Sequence, residues 1–196
     1  MNYEKYIFLN GHFIVAMPDL VGKDFERSVI CICEHTEEGA FGIIINKIHQ
    51  THTVQNLFEE LNIKCKCNLS NIPIYTGGHV QVNEVFILHG PPFDWVGCLP
   101  INSSLALCNT QDILEAIANG KGPKSYIIAL GSAGWGAGQL ENEIKENLWL
   151  NFPANSTAFH KNIEKKWDEV LKDNGIDPII FSANACANFG GLYGLS

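Results

Sequence analysis

Apolar residues along the chain fall into short β-branched runs broken by polar turns, with a few stretches of helical spacing between them. Ser28 to Cys33 (SVICIC) and Ala40 to Asn46 (AFGIIIN) flank the polar segment Glu34 to Gly39, which predicts a strand pair with both members largely buried. Ile72 to Thr76 and Glu84 to His89 predict two strands around a Gly77-Gly78 turn, and Leu105 to Cys108 predicts another. Ser125 to Leu130 (SYIIAL) is the clearest strand pattern in the chain. Helical spacing follows Thr53, a good N-cap, with Val54, Leu57, Phe58 and Leu61 on one face. A second helix is predicted over Gln111 to Asn119, capped by Thr110, with Asp112 in its first turn and Gly120 and Gly122 ending it. A third is expected from about Gln139 to Leu150. A fourth is expected from about Thr157 to Asn174, with Ile163, Trp167, Val170 and Leu171 as its apolar stripe and Gly175 as its stop.

Strands that come in groups, rather than alternating strictly with helices, argue for an α+β protein. The expected architecture is a single domain over residues 1–196, with a mixed, mostly antiparallel sheet packed by about four helices. A doubly wound parallel fold fits the element order less well.

Composition narrows the function classes. The formal net charge of −8 repels polyanions, and no basic stripe interrupts it, so direct nucleic-acid binding is disfavoured. Lys161, Lys165 and Lys166 are interleaved with Glu164 and followed by Asp168 and Glu169, the pattern of a solvated helix face. The first residues lack the basic start, apolar run and cleavage site of a secretory signal, and no run of 18 apolar residues occurs anywhere. Cytoplasmic localisation without membrane association is therefore the expectation, and seven cysteines in that compartment read as reduced thiols.

The segment GSAGWGAGQLENEI, Gly131 to Ile144, places four glycines in eight residues between a strand and a helix. Such a junction can bind anions through free amides and the helix dipole. This one lacks the Gly-Lys-[Ser/Thr] ending of a phosphate loop, has Gln139 where a dinucleotide fingerprint needs its third glycine, and carries Glu141 and Glu143 near the helix start. Two readings stay open. The glycines form a tight structural corner plugged by Trp135, or Gly134, Gly136, Trp135 and Gln139 border a pocket for a small neutral or cationic ligand.

Glu34 and His35 follow the SVICIC strand and His89 ends another, so a histidine and carboxylate pair beside the glycine corner is the candidate for acid/base chemistry. Hydrogen-bonded structural histidines are the competing reading. Cys31-x-Cys33 and Cys65-x-Cys67 lack the two-residue spacer of common zinc sites and read as core or turn thiols, so no metal and no cofactor is expected. Ser103 and Ser104 lack the hydrolase G-x-S-x-G elbow.

GSAGWGAGQLENEIKENLWL, LNGHFIVAMPDLVGKDFERSVICICEHTEEGAFGIIINK, IYTGGHVQVNEVFILHG and DILEAIANGKGP together resemble the AlgH/YqgE-like family of bacterial proteins, over residues 9 to about 177. His79 stands where that family usually has proline, Ser132 where an aromatic is common, and the last dozen residues depart from the usual ending. The resemblance implies a small bacterial protein with an α+β sheet fold and the label of transcriptional regulator, and it carries over no catalytic residues. The resulting expectation is a binding or regulatory protein acting indirectly on gene expression through a protein partner or a small ligand. The alternative is an enzyme of unknown reaction using His35, Glu34 and His89.

Overall fold

In the computed structural model, which describes residues 8–18, 24–65 and 72–182, the β-branched runs pair edge to edge. The strands are β1 (His12–Ala16), β2 (Val29–Thr36), β3 (Gly39–Ile44), β4 (Ile74–Thr76), β5 (Val80–His89), β6 (Leu99–Pro100), β7 (Ala106–Cys108), β8 (Tyr126–Gly136) and β9 (Trp149–Pro153). They form one curled sheet in the order β6-β7-β5-β8-β3-β2-β1-β9, with β4 alongside β8. The β4–β8 pairing is parallel and the remaining pairings are antiparallel. The mixed, mostly antiparallel α+β architecture is thus as the element order predicts.

Helices α1 (Val54–Glu60), α2 (Gln111–Ala118), α3 (Gln139–Lys145) and α4 (Lys166–Asp173) cover the sheet, joined by a 3-10 turn at Ser156–Phe159 and a helical stretch at 178–182. Thr53 caps α1 in a reciprocal box with Asn56, as its position suggests. Thr110 occupies the N-cap position of α2, yet its hydroxyl turns away from the helix amides and lies 2.9 Å from the Val96 carbonyl and 2.6 Å from the Asp112 carboxylate.

Two helical expectations are corrected. The third helix ends at Lys145 rather than Leu150, because Asn147 takes a left-handed φ of 57° and Trp149–Pro153 then runs as β9 against β1, with Ile14 opposite Asn151. In the fourth, the backbone makes only a 3-10 turn after its Asn155 cap and becomes α-helical at Lys166. Leu150 and Phe152 are half-buried against the core while Asn151 and Pro153 are exposed, and that period of two is the signature of a strand.

The glycine-rich segment also differs from expectation. It is not a corner but the second half of β8, paired residue by residue with β3 from Gly42 opposite Ala133 to Gly39 opposite Gly136. Along β8, Ile127 and Ala129 pack into the core on one face of the sheet while Ile128 and Leu130 pack on the other. After Gly131, at φ +72°, the parity switches, and Ala133 and Trp135 join the core that β1 to β3 build with Ile14, Ile30 and Ile44. A left-handed glycine is what lets a strand change register with its own side chains. Gly77 and Gly78 approach so closely that a Cβ on either would lie 2.1 Å from the backbone of Gly131 or Ser132.

Candidate functional site

The residues singled out by the sequence fall at two ends of the sheet. His89 pairs with Tyr126 at the start of β8, and Trp135 stands nine positions on, so roughly 30 Å of strand separates them at ~3.3 Å per residue. The expected gathering of His35, Glu34 and His89 does not occur. Glu34 and His35 are successive residues of β2 and point to opposite faces, Glu34 to solvent and His35 inward at 1% exposure.

At the Trp135 end, side chains of α3 turn back onto the sheet. The Glu143 carboxylate accepts from the indole N–H of Trp135 and of Trp149, each at 2.8 Å, and from the Gln139 amide at 2.9 Å. Gln139 in turn accepts from the Gly136 N–H at 3.1 Å. Trp135 is 7% exposed and packs edge to face on Trp149. Trp135 and Gln139 are therefore committed to an internal network that docks the start of α3 on β8. His35 accepts at Nδ1 from the Leu9 N–H at 3.0 Å, which places its proton on Nε2, 3.3 Å from Glu141 Oε1 and off the hydrogen-bond axis. This is a histidine and carboxylate pair beside the glycine-rich strand, but the carboxylate is Glu141, partly exposed, and the histidine is enclosed.

On the opposite face of the same strands, where Glu34 pairs with Phe41, a cleft of about 300 Å³ opens, bordered by Glu34, Thr36, Glu38, Phe41 and Trp135. Gly39, at φ +140°, makes the tight β2–β3 hairpin that brings Glu38 to its rim; a Cβ there would lie 2.2 Å from the Trp135 carbonyl. Two carboxylates beside an aromatic ring suit a cationic group and repel an anion.

At the other end, His89 is fully buried and its Nδ1–H donates to the Gly90 carbonyl at 2.7 Å. Burial lowers the His89 pKa, partly offset by that bond. Cys108 and Cys98 lie 3.3 and 3.6 Å from its Nε2. Burial likewise pushes both thiols up, Cys108 to about 12. Cys31 and Cys33 are core thiols, Cys33 donating to the Cys31 carbonyl at 3.5 Å. Cys65 donates to the Ala118 carbonyl at 3.3 Å, and Cys67 lies outside the described residues.

Two roles were not read from the sequence. Asn46, at the end of the AFGIIIN run, clamps β2 by accepting from Val29 N–H and donating to Arg27 C=O, both at 2.8 Å. Lys166, taken as a solvated surface residue, is fully buried, donating to the carbonyls of Ile45 at 2.8 Å and Ala158 at 2.6 Å. No helix among the described residues is long and apolar enough to cross a membrane.

Comparison with known proteins matches residues 13–179 to a family model described as AlgH-like. A UPF0301 protein of Desulforapulum autotrophicum is 50% identical over 169 residues, covering 86% of this chain and 89% of the relative. A UPF0301 protein of Thioalkalivibrio sulfidiphilus is 39% identical over 176 residues, covering 89% and 94%. The solution structure of the AlgH protein from Pseudomonas aeruginosa superposes with a TM-score of 0.75 at 32% identity, over 93% of this chain and 97% of that one. A crystal structure from Corynebacterium diphtheriae, at 24% identity, shares the fold with a TM-score of 0.69 over 92% and 93% of the two chains.

Proposed function

The chain belongs to the AlgH-like family, and we propose that it serves as a non-enzymatic binding protein acting on gene expression indirectly, by holding a cationic group in the acidic cleft between β2, β3 and β8. The occupant is a lysine or arginine side chain of a protein partner, or a small amine of similar chemistry. The observation that carries this reading is the placement of Glu34 and Glu38 around Phe41 in an open cleft of about 300 Å³. The net charge of −8 favours the same class of ligand at long range. An enzyme using His35 would need it open to substrate, and it is enclosed.

The test is an NMR titration with arginine amide, a diamine and a lysine-rich peptide, following the backbone amides of Glu34 to Phe41. We expect these amides to shift, and E34Q/E38Q to weaken binding between about 2-fold and 30-fold, from ~0.2–1 kcal/mol per exposed ion pair. Titrations that leave those amides unmoved would sink the cleft. Retarded migration of duplex DNA at physiological salt, abolished by raising the salt, would replace indirect action with direct binding.

A further inference from the structure

We propose that His89, Cys98 and Cys108 form a binding site for a thiophilic divalent metal ion of the zinc class, distinct from the acidic cleft and at the other end of the sheet. The three donor atoms lie within 4.8 Å of one another. With Zn–N of ~2.0–2.1 Å and Zn–S of ~2.3 Å, a tetrahedral ion would set its nitrogen and sulfur ligands about 3.6 Å apart and its two sulfurs about 3.8 Å apart. The Nε2 to Sγ separations of 3.3 and 3.6 Å meet that geometry with little adjustment.

The histidine is prepared for ligation. Its Nδ1–H is engaged by the Gly90 carbonyl, so the lone pair sits on Nε2 and faces the thiols. A single lone pair can satisfy one S–H donor well, whereas here two thiols converge on it; a metal ion uses all three groups at once. The donors are held by separate pieces of scaffold. His89 and Cys108 lie on the paired strands β5 and β7, where Ile87 faces Cys108. Cys98 lies on the loop before β6, which is pinned to the start of α2 by Val96 N–H donating to Asp112 and by Thr110 reaching the Val96 carbonyl. Cys98 is half-buried while the other two are enclosed, so the ion enters from the Cys98 side and keeps a fourth position there for water or an outside ligand. Binding converts two thiols to thiolates and releases two protons to solvent, leaving the ion's two positive charges neutralised by the two sulfurs.

The test uses the full-length chain, reduced with a phosphine and titrated with Co(II) and then Zn(II) at mildly alkaline pH. We expect one cobalt per chain, with thiolate-to-cobalt charge transfer in the near ultraviolet and the intense visible bands of a tetrahedral ion, both erased by an equivalent of zinc. C98S, a near-isosteric change at a half-buried loop position, should reduce the charge-transfer band by half or more and abolish the rise in Tm that zinc gives the parent protein. H89Q should weaken the visible bands while the cysteines remain. C65S should behave as the parent does. A folded parent protein that shows no charge-transfer band with stoichiometric cobalt overturns the site. So does a band undiminished in C98S or lost in C65S, since other thiols would then hold the ion.

Discussion

Single side chains decide how the two ends of this sheet are held. Glu143 serves two buried indole N–H groups and an exposed amide at once, so its loss strands the two indole donors while the Gln139 amide turns to water. Leaving buried donors without an acceptor costs ~1–3 kcal/mol each, so E143A should destabilise the protein by roughly 2–6 kcal/mol in urea unfolding, and E143Q by less, since the amide oxygen can still accept. Lys166 gives a pH signature. Burial lowers its pKa to about 8 from an ordinary value of 10.5, only partly opposed by Glu169. Between those two values the unfolded chain binds the proton that the folded chain has released, so this residue adds stability as pH rises through that window. From pH 7 to pH 9 the gain should be about 1 kcal/mol for the parent relative to K166M. The comparison must be a difference, because the thiols and Tyr75, whose pKa burial raises to about 12, act in the opposite sense at higher pH. A parallel pH response in K166M would show that Lys166 is not the source. Neither role has a signature in the local pattern. A lysine between acidic neighbours reads as solvated, and only the fold places the carbonyls of Ile45 and Ala158 around it.

Among the elements, β8 explains why the sequence could mark the glycine-rich segment and still misassign its shape. Clustered glycines signal close backbone approach, but not whether the chain turns or continues. Here it continues, paired with β3 and crowded by the Gly77-Gly78 backbone, which bonds to Ile44 at the end of β3. The glycines are accordingly not equivalent. G77A would drive a methyl group to within 2.1 Å of the Gly131 carbonyl and should cost more than ~3 kcal/mol or prevent folding. G134A meets nothing closer than a Val80 methyl at 3.6 Å and should unfold within about 1 kcal/mol of the parent. Equal losses in the two variants would refute the account of where the strand is crowded. The strands β2, β3 and the first half of β8 were legible because burial on both faces leaves short apolar runs there, VICIC in β2, the Ile43-Ile44 pair in β3 and IIAL in β8. β1 passed without a clear pattern, and β9 hid in an apparent helix, since five residues hold too few periods to separate the two spacings.

For the molecule as a whole, fold and family were legible from ordered blocks of sequence, whereas the candidate sites were not. Both depend on where the folded backbone brings side chains together: Glu34 beside Phe41 across a hairpin, His89 beside Cys98 and Cys108 across two turns and an edge strand. No spacing rule for cysteines anticipates a set drawn from three separate segments. The strand order carries a further consequence. β8 is bonded to β3 on one side and to β5 on the other, so it alone joins β1 to β3 with β5 to β7. A growing polypeptide therefore leaves the ribosome as two orphan half-sheets, and they acquire a shared spine only when the residues of β8 follow. A chain halted after Pro123 should be digested rapidly by protease, while one carried through Asp173, with β9 in place against β1 and Trp167, Val170 and Leu171 in the core, should resist.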